Sequence, residues 1–158
     1  ALGDVIADAQ LDATNDPGFG DAVVAFMNPG GIRADLTFNS SAAGEGNGNV
    51  TYGEAFTVQP FGNSLVTMTL TGAQLHTLLE QQFTGCTVGY PAGQASQPFN
   101  RVLQVSAGFS YAWKEKGTPC DNVDPASMML NGEQVDLTKS YRVTVNSFMA
   151  DGGDQLFV

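Results

Sequence analysis

Histidine and basic residues are scarce in this sequence. Its 158 residues include one histidine, 6 lysines and arginines, and 16 aspartates and glutamates, which gives a net charge of −10. So acidic a chain disfavours a nucleic acid or an anionic membrane surface as its partner. A dinuclear metal centre needs several converging ligands, and an acyl-transfer triad needs a histidine beside a nucleophile. With His76 as the one histidine, we do not expect metal catalysis by this chain alone.

Long hydrophobic runs are also missing. No apolar stretch approaches the roughly 20 residues of a membrane-spanning helix, and no basic segment precedes an apolar one as in a signal peptide. We therefore expect neither a membrane span nor a leader in this chain. Its length suits a single domain that buries roughly 70% of the unfolded surface. Because Ala1 already lies within a helical pattern, we expect one domain of a longer protein.

The two cysteines lie in loops rich in glycine, threonine and proline. Cys86 lies in TGCT and Cys120 in GTPC. A disulfide between them is typical of an oxidising compartment, and few lysines with many Asn, Ser, Thr and Gly residues favour the same location. The alternative is two unrelated free thiols. We expect the disulfide, in a secreted, periplasmic or cell-surface protein.

The spacing of apolar residues predicts mixed α and β structure. Helical spacing begins near Leu2, and the capping-box patterns TYGE and TGAQ, in which side chains satisfy free backbone N–H groups, predict two further helix starts. Buried or alternating apolar runs predict strands at residues 22–27, 65–70, 102–105, 109–113 and 141–145. We expect 102–105 to pair with 109–113, and a hairpin turn at Asn131-Gly132. The predicted class is α+β, a single domain with a mixed β-sheet and packed helices.

Paired glycines follow two of these predicted strands. One stretch is NPGGIR, from Asn28 to Arg33, and the other is NSFMADGGD, from Asn146 to Asp154. Glycine lets backbone approach a ligand closely, so both stretches are interpreted as binding loops. The Arg33 guanidinium suits capture of a phosphate or carboxylate, although a surface pair with Asp35 explains it equally well.

Two phenylalanines also lie in predicted loops. Phe61 is in the turn QPFGN, and Phe148 opens the glycine-rich terminal loop. Two loop phenylalanines can hold a planar ring between them, and the alternative is that both are core residues. Asp154 can accept hydrogen bonds from vicinal hydroxyls, or it can cap a turn. His76 lies off the apolar face of its helix, which predicts a solvated side chain.

An ordered series of short motifs runs along the chain. The motifs are LGDVIADA, NPGGIR, TYGEAF, PFGN, LQVS and NSFMADGGD. In this series the chain resembles, over essentially its whole length, the C-terminal domain of the 5′-nucleotidase family, which includes UDP-sugar hydrolases and 2′,3′-cyclic-nucleotide phosphodiesterases. The resemblance implies that an N-terminal metallophosphoesterase domain carries two divalent metal ions and the catalytic groups. The C-terminal domain then holds the nucleoside.

The resemblance also implies roles for individual residues around the nucleoside. It places Phe61 and Phe148 on the two faces of the base and Asn63 near the edge of the base. It places Asp154 on the ribose hydroxyls. These assignments agree with the binding groups that the loops themselves suggest.

The phosphate end of the implied site is less complete. The resemblance places Asn28 and Arg33 toward the phosphate, whereas a further family arginine that precedes the LGD motif has no counterpart here. Gln155 stands where glycine is common, and residues 98–100 lack a glycine that often lies near the base. We expect local loop geometry and base preference to differ accordingly.

Together these features predict the nucleotide-binding and specificity domain of a secreted or surface 5′-nucleotidase-type hydrolase, inactive as an isolated chain. No cofactor is expected in this chain, because the two divalent ions would belong to the N-terminal domain. The expected partners are a nucleotide or nucleoside and that N-terminal domain of the same polypeptide. The alternative is a non-catalytic extracellular module that binds nucleosides or has a structural or adhesive role.

Overall fold

The structure is a computed structural model that describes residues 1–39 and 41–157. The described residues form four α-helices and seven β-strands. The helices are α1 (Leu2–Asp12), α2 (Tyr52–Val58), α3 (Gly72–Gln81) and α4 (Ser147–Ala150). The strands are β1 (Val24–Met27), β2 (Leu65–Thr71), β3 (Gln104–Val105), β4 (Phe109–Ser110), β5 (Met129–Leu130), β6 (Glu133–Gln134) and β7 (Ser140–Asn146). The predicted α+β class is confirmed.

The larger sheet has the strand order β2-β7-β1-β3 and is mixed, as predicted. Strand β7 runs antiparallel to β2, from Leu65 opposite Asn146 to Thr71 opposite Ser140. Strand β1 is parallel to β7 and antiparallel to β3. All four residues of β1 are buried, which explains why its sequence is an uninterrupted apolar run.

These strand directions bring four chain segments to one edge of the sheet. Parallel pairing places the ends of β1 and β7, at Met27 and Asn146, on the same side. Antiparallel pairing places the starts of β2 and β3 there as well, because Leu65 faces Asn146 and Gln104 faces Met27. The loops after β1 and β7 therefore meet the segments that precede β2 and β3.

The hydrophobic core lies between the larger sheet, helix α3 and the smaller sheet β4-β5-β6. The apolar face of α3 is buried and consists of Leu75, Leu78 and Leu79, followed by Phe83. Phe26 of β1 contacts Phe109 of β4 edge to face, with 5.3 Å between ring centroids. Such aromatic pairs stabilise a fold beyond the area that they bury.

The predicted pairing of residues 102–105 with 109–113 is wrong. Strand β3 pairs with β1, whereas β4 pairs with β5 in the smaller sheet. Ser106 directly follows β3 and continues its contact with β1. Its backbone N–H donates to Ala25 O, and its hydroxyl accepts from Ala25 N. The chain then turns at Gly108, whose φ is +87°. The two segments are close in the chain, yet they belong to different sheets.

The predicted turn and helix starts are confirmed. Asn131 and Gly132 have φ angles of +52° and +83° and join β5 to β6, as a type I′ hairpin turn requires. Thr51 and Glu54 form a capping box at α2, and Thr71 forms the same arrangement with Gln74 at α3. In the described ranges no helix is long and apolar enough to cross a membrane.

The predicted solvation of His76 is wrong. Its Nε2 lies 3.2 Å from the carbonyl oxygen of Val123 and 3.7 Å from the carboxylate of Glu80, so the ring is partly buried against a neighbouring loop. Glu80 is itself buried and accepts hydrogen bonds from the backbone N–H groups of Asn122 and Val123. The helical spacing showed that His76 lies off the leucine face of α3. It did not show that the loop with Asn122 and Val123 covers the side of α3 on which His76 and Glu80 lie.

Candidate functional site

A cavity of about 690 Å³ opens at the sheet edge where the four segments meet. All six residues predicted as substrate-binding line it: Asn28, Arg33, Phe61, Asn63, Phe148 and Asp154. Further lining comes from the segment before β3, at residues 99–102, and from Met27, Gln59 and Asn146. The structure therefore brings together side chains that are more than 120 positions apart, such as Asn28 and Asp154, which are 126 apart.

A chain of hydrogen bonds crosses the floor of this cavity. Asn146 Nδ2 donates to Asn28 Oδ1 at 3.0 Å, and Asn28 Nδ2 donates to Asp154 Oδ2 at 2.6 Å. The other carboxylate oxygen, Oδ1, accepts from Arg101 Nη1 at 2.7 Å. Asn146 and Asn28 are buried, so their amides need these partners. The network fixes the Asp154 carboxylate at both of its oxygens.

The backbone of the terminal loop turns the Asp154 side chain into the cavity. Asp154 and Gln155 adopt left-handed φ angles of +54° and +56°, a conformation that costs a non-glycine residue on the order of 1–3 kcal/mol. Gly153 packs directly against the ring and carbonyl of Phe148, where an added Cβ has no room. Gln97 donates to the Asp154 carbonyl from outside the cavity. Residues around the loop thus hold a strained conformation that presents one carboxylate.

The two phenylalanines are half-exposed, so the alternative that both are core residues is wrong. Phe61 is 45% exposed and Phe148 is 46% exposed. Their segments are tied together, because Ser64 N donates to Ser147 Oγ and Ser147 N donates to Ser64 O. Apolar rings on two such segments offer flat surfaces to a ligand in the cavity.

Arg33 lies at the open side of the cavity. Its Nη1 donates to Gly30 O at 3.1 Å, and its Cζ lies 6.0 Å from the centroid of the Phe61 ring. Asp35 forms no ion pair with it in the described part of the chain. The backbone N–H of Arg33 donates to Val58 O, which anchors this loop to the end of α2. The guanidinium is exposed and available to an anionic group.

Among the lining residues that sequence reasoning did not predict, Phe99, Arg101 and Asn146 bear most on the site. Phe99 and Arg101 contribute an exposed aromatic ring and a second guanidinium, with the Arg101 Cζ 4.6 Å from the Phe99 centroid. Asn146 was assigned no side-chain role, although it holds Asn28. No local pattern marks Phe99 or Arg101, because they reach the cavity only through the pairing of β3 with β1. Asn146 opens the NSFMADGGD stretch, but its contact with Asn28 depends on the pairing of β7 with β1. The absence of glycine at residues 98–100 was the one available signal.

The residues of the cavity do not form a metal site. Its charged residues are Arg33, Arg101 and Asp154, which supply two guanidinium groups and a single carboxylate. Across residues 1–39 and 41–157, no three His, Cys, Asp or Glu side chains are grouped to hold a metal ion. Two divalent ions would need more acidic or imidazole ligands than this cavity contains.

The whole sequence, residues 1–158, matches the family described as 5′-nucleotidase, C-terminal domain. The chain belongs to this family. A 5′-nucleotidase precursor from Thermus thermophilus has the same fold, with a TM-score of 0.67 and 32% identity over 98% of this chain and 27% of that one. This result confirms the family resemblance. In this family the metal site lies in the N-terminal domain.

Two curated relatives illustrate the range of proteins that contain this C-terminal domain. A cell wall protein of Listeria monocytogenes is 34% identical over 158 residues, which are 97% of this chain and 18% of the relative. The NAD 5′-nucleotidase of Haemophilus influenzae is 30% identical over 141 residues, which are 83% of this chain and 20% of the relative. The chain therefore spans about a fifth of the length of these relatives.

Proposed function

We propose that this domain binds the nucleoside part of a nucleotide and provides specificity to a 5′-nucleotidase-type phosphoester hydrolase. One observation carries the proposal: a single cavity presents two half-exposed phenylalanines together with a carboxylate held at both oxygens. Its volume of about 690 Å³ suits a ligand the size of a nucleotide. The family relationship supports the same ligand class.

In the proposed complex each group meets one part of the ligand. Phe61 and Phe148 stack on the two faces of the base, with Asn63 near its edge. Asp154 accepts hydrogen bonds from the ribose hydroxyls, since an ionised carboxylate is purely an acceptor. Arg33 contacts the 5′-phosphate from the open side. Asn28 lies toward the phosphate and also orients Asp154 through its amide.

Hydrolysis in the full-length protein is proposed to occur in a second domain of the same polypeptide. The relatives are several times longer than this chain, and an N-terminal metallophosphoesterase domain would hold two divalent ions that supply a nucleophile and stabilise developing charge. The contribution of this chain is to bind the nucleotide and to hold its phosphate in position. The Cys86–Cys120 disulfide and the Listeria cell wall relative favour a secreted, periplasmic or surface location.

Titration of the purified domain with adenosine and AMP tests the proposal. Phe61→Ala and Phe148→Ala should each weaken binding by about 1–3 kcal/mol, because each removes one stacking face. Phe19→Ala is a matched control, since Phe19 is 77% exposed and lies outside the cavity. Calorimetry or NMR at millimolar ligand suits the modest affinity expected of one domain. Chemical-shift changes that persist in the Phe61→Ala/Phe148→Ala double variant would disprove the sandwich.

A structural or adhesive module is the competing function. The similarity to a cell wall protein of Listeria monocytogenes is the observation that favours this alternative. The same titration separates the two functions. If the folded domain binds none of adenosine, AMP and a uridine nucleotide at millimolar concentration, the result would support the structural role and contradict nucleoside binding.

A further inference from the structure

A second arginine is built into the wall of the cavity. The backbone N–H of Arg101 donates to Gln82 O at 2.8 Å, and its guanidinium lies over the Phe99 ring. Its Nη1 donates to Asp154 Oδ1 at 2.7 Å, and the side chain is 23% exposed. Backbone, ring and carboxylate thus fix this guanidinium in place at the cavity surface, unlike a solvated surface arginine.

The charges around the cavity are opposite in sign to those of the whole chain. Two of its three charged lining residues are arginines and one is an aspartate, which leaves a local charge of +1 in a chain of −10. Each arginine lies near a phenylalanine ring, Arg33 near Phe61 and Arg101 near Phe99. Arg33 forms no ion pair within the described residues, and Arg101 keeps N–H groups beyond the one that donates to Asp154, so each guanidinium can meet an anionic group of a ligand.

The ion pair places Arg101 beside the ribose position. Asp154 is the group proposed to meet the ribose hydroxyls, and Arg101 shares one of its oxygens. Within residues 1–39 and 41–157 the guanidinium makes this one side-chain hydrogen bond, so Nε and Nη2 remain available for a ligand. In dinucleotide-binding folds a carboxylate recognises a free ribose hydroxyl, whereas a nearby arginine accommodates a phosphate on that hydroxyl. This cavity contains both groups.

We propose that Arg101 is a specificity-determining residue that binds a phosphate ester on the 2′ or 3′ oxygen of the ribose. The domain then accepts nucleosides with an anionic group at the hydroxyl edge, in addition to those with a 5′-phosphate. This inference rests on the proposed nucleoside site. A planar guanidinium with free N–H groups contacts two phosphate oxygens at once, which a ribose hydroxyl alone does not require.

Three ligands and two variants test the role of Arg101. Dissociation constants are measured for adenosine, adenosine 5′-monophosphate and adenosine 3′-monophosphate with the wild-type chain, Arg101→Gln and Arg33→Gln. The 3′-phosphate should bind wild type about tenfold more tightly than adenosine, as expected for charge-assisted hydrogen bonds. Arg101→Gln should abolish that advantage and retain the advantage of the 5′-phosphate. Arg33→Gln should have the reverse effect.

Different outcomes overturn the inference and the underlying function. If wild type binds adenosine but the 3′-phosphate gives no advantage, the role of Arg101 is wrong and the nucleoside site stands. The same conclusion follows if Arg101→Gln weakens adenosine and the 3′-phosphate by equal factors, because the arginine then only orients Asp154. If none of the three ligands binds, both proposals fail. If Arg101→Gln does not fold, a wild type without a 3′-phosphate advantage still overturns the inference. Arg101→Lys, which should retain part of the advantage, then tests the residue itself.

Discussion

Among single residues, Asp154 is held by several independent constraints. Its backbone is left-handed, its carbonyl accepts from Gln97, and its two carboxylate oxygens accept from Asn28 and Arg101. Strained backbone persists only where surrounding contacts hold it, and such positions cluster at ligand sites. A partly buried carboxylate that is held by so many contacts is consistent with a group that must meet its ligand in a fixed orientation.

Asp154→Asn should weaken the binding of ribonucleosides selectively. The substitution keeps the size of the side chain and removes its charge, so the ribose loses a charged acceptor worth about 1.5–3 kcal/mol. Binding of adenosine should fall by this amount, whereas 2′,3′-dideoxyadenosine should be nearly unaffected. Calorimetry on the two ligands measures the difference. Asp151→Asn, an exposed position in the same loop, should change neither affinity, and equal losses for both ligands would contradict the ribose contact.

The six candidate residues were predictable because each lies in or beside a short motif. Their geometry was not, since the network depends on contacts between residues far apart in the chain. Arg101 meets Asp154 across 53 positions, and Asn146 meets Asn28 across 118. A sequence motif marks a position where a loop begins, but the strand order decides which loops share a cavity.

At the scale of elements, local signals predicted helices and turns better than they predicted the faces that become buried. The apolar stripe of α1, which includes Val5 and Ala9, remains largely exposed along a surface groove. Gly3, Ala7 and Gln10 face the sheet instead. At Gly3 the helix approaches the side chain of Gln104 so closely that an added Cβ would overlap it. Close backbone approach, rather than hydrophobicity, sets the orientation of this helix.

The terminal loop contains a residue that glycine should replace with a gain in stability. Gln155 has a φ of +56°, and its Oε1 is buried without a hydrogen-bond partner in the described structure. Gln155→Gly removes the steric cost of the left-handed conformation, about 1–2 kcal/mol, but increases the entropy of the unfolded chain by about 0.4–1 kcal/mol. The free energy of unfolding in urea should therefore rise by up to about 1.5 kcal/mol.

A second glycine substitution controls for composition. Gln94 is exposed and lies outside the residues with positive φ, so Gln94→Gly should give no gain. Adenosine affinity should be retained in Gln155→Gly if the loop keeps its shape. A loss of stability at position 155 equal to that at position 94 would show that the left-handed conformation is not a source of strain.

At the scale of the whole molecule, one disulfide supports the segment that completes the cavity. A disulfide joins Cys86 to Cys120, 34 positions apart. Cys120 lies just before Val123, whose backbone N–H donates to the Glu80 carboxylate. Two hydrogen bonds also join the start and the end of the segment 82–101. Thr84 N donates to Asn100 Oδ1, and Arg101 N donates to Gln82 O. The disulfide and these hydrogen bonds connect the loop between β4 and β5 to the segment that forms the cavity wall.

Reduction of this disulfide should lower the free energy of unfolding substantially. Closing a loop of this length removes unfolded-state entropy worth about 3–4 kcal/mol in the chain-entropy model. Urea unfolding with and without reductant measures the change, and a Cys86→Ser/Cys120→Ser variant should be insensitive to the reductant. Two titratable thiols in denatured, unreduced protein from an oxidising compartment would show that the bond does not form there.

The isolated chain should release no phosphate from AMP even though it is proposed to bind AMP. Its cavity supplies two guanidinium groups and one carboxylate, which can position a phosphate but do not make a nucleophile of water at neutral pH. The measurement is phosphate release by highly purified chain over a range of Mg²⁺, Mn²⁺ and Zn²⁺ concentrations. Wild type and Asp154→Asn should both stay at the rate of buffer.

Contaminating phosphatase is the main confounder of that measurement, and the variants identify it. Activity that is equal in wild type and in the Phe61→Ala/Phe148→Ala double variant would come from another protein, because it would not depend on the nucleoside site. Metal-dependent activity that is lost in this double variant and retained in His76→Ala would contradict the prediction. The cavity of this chain would then contribute catalytic groups itself, and its role would extend beyond positioning the nucleotide for a second domain.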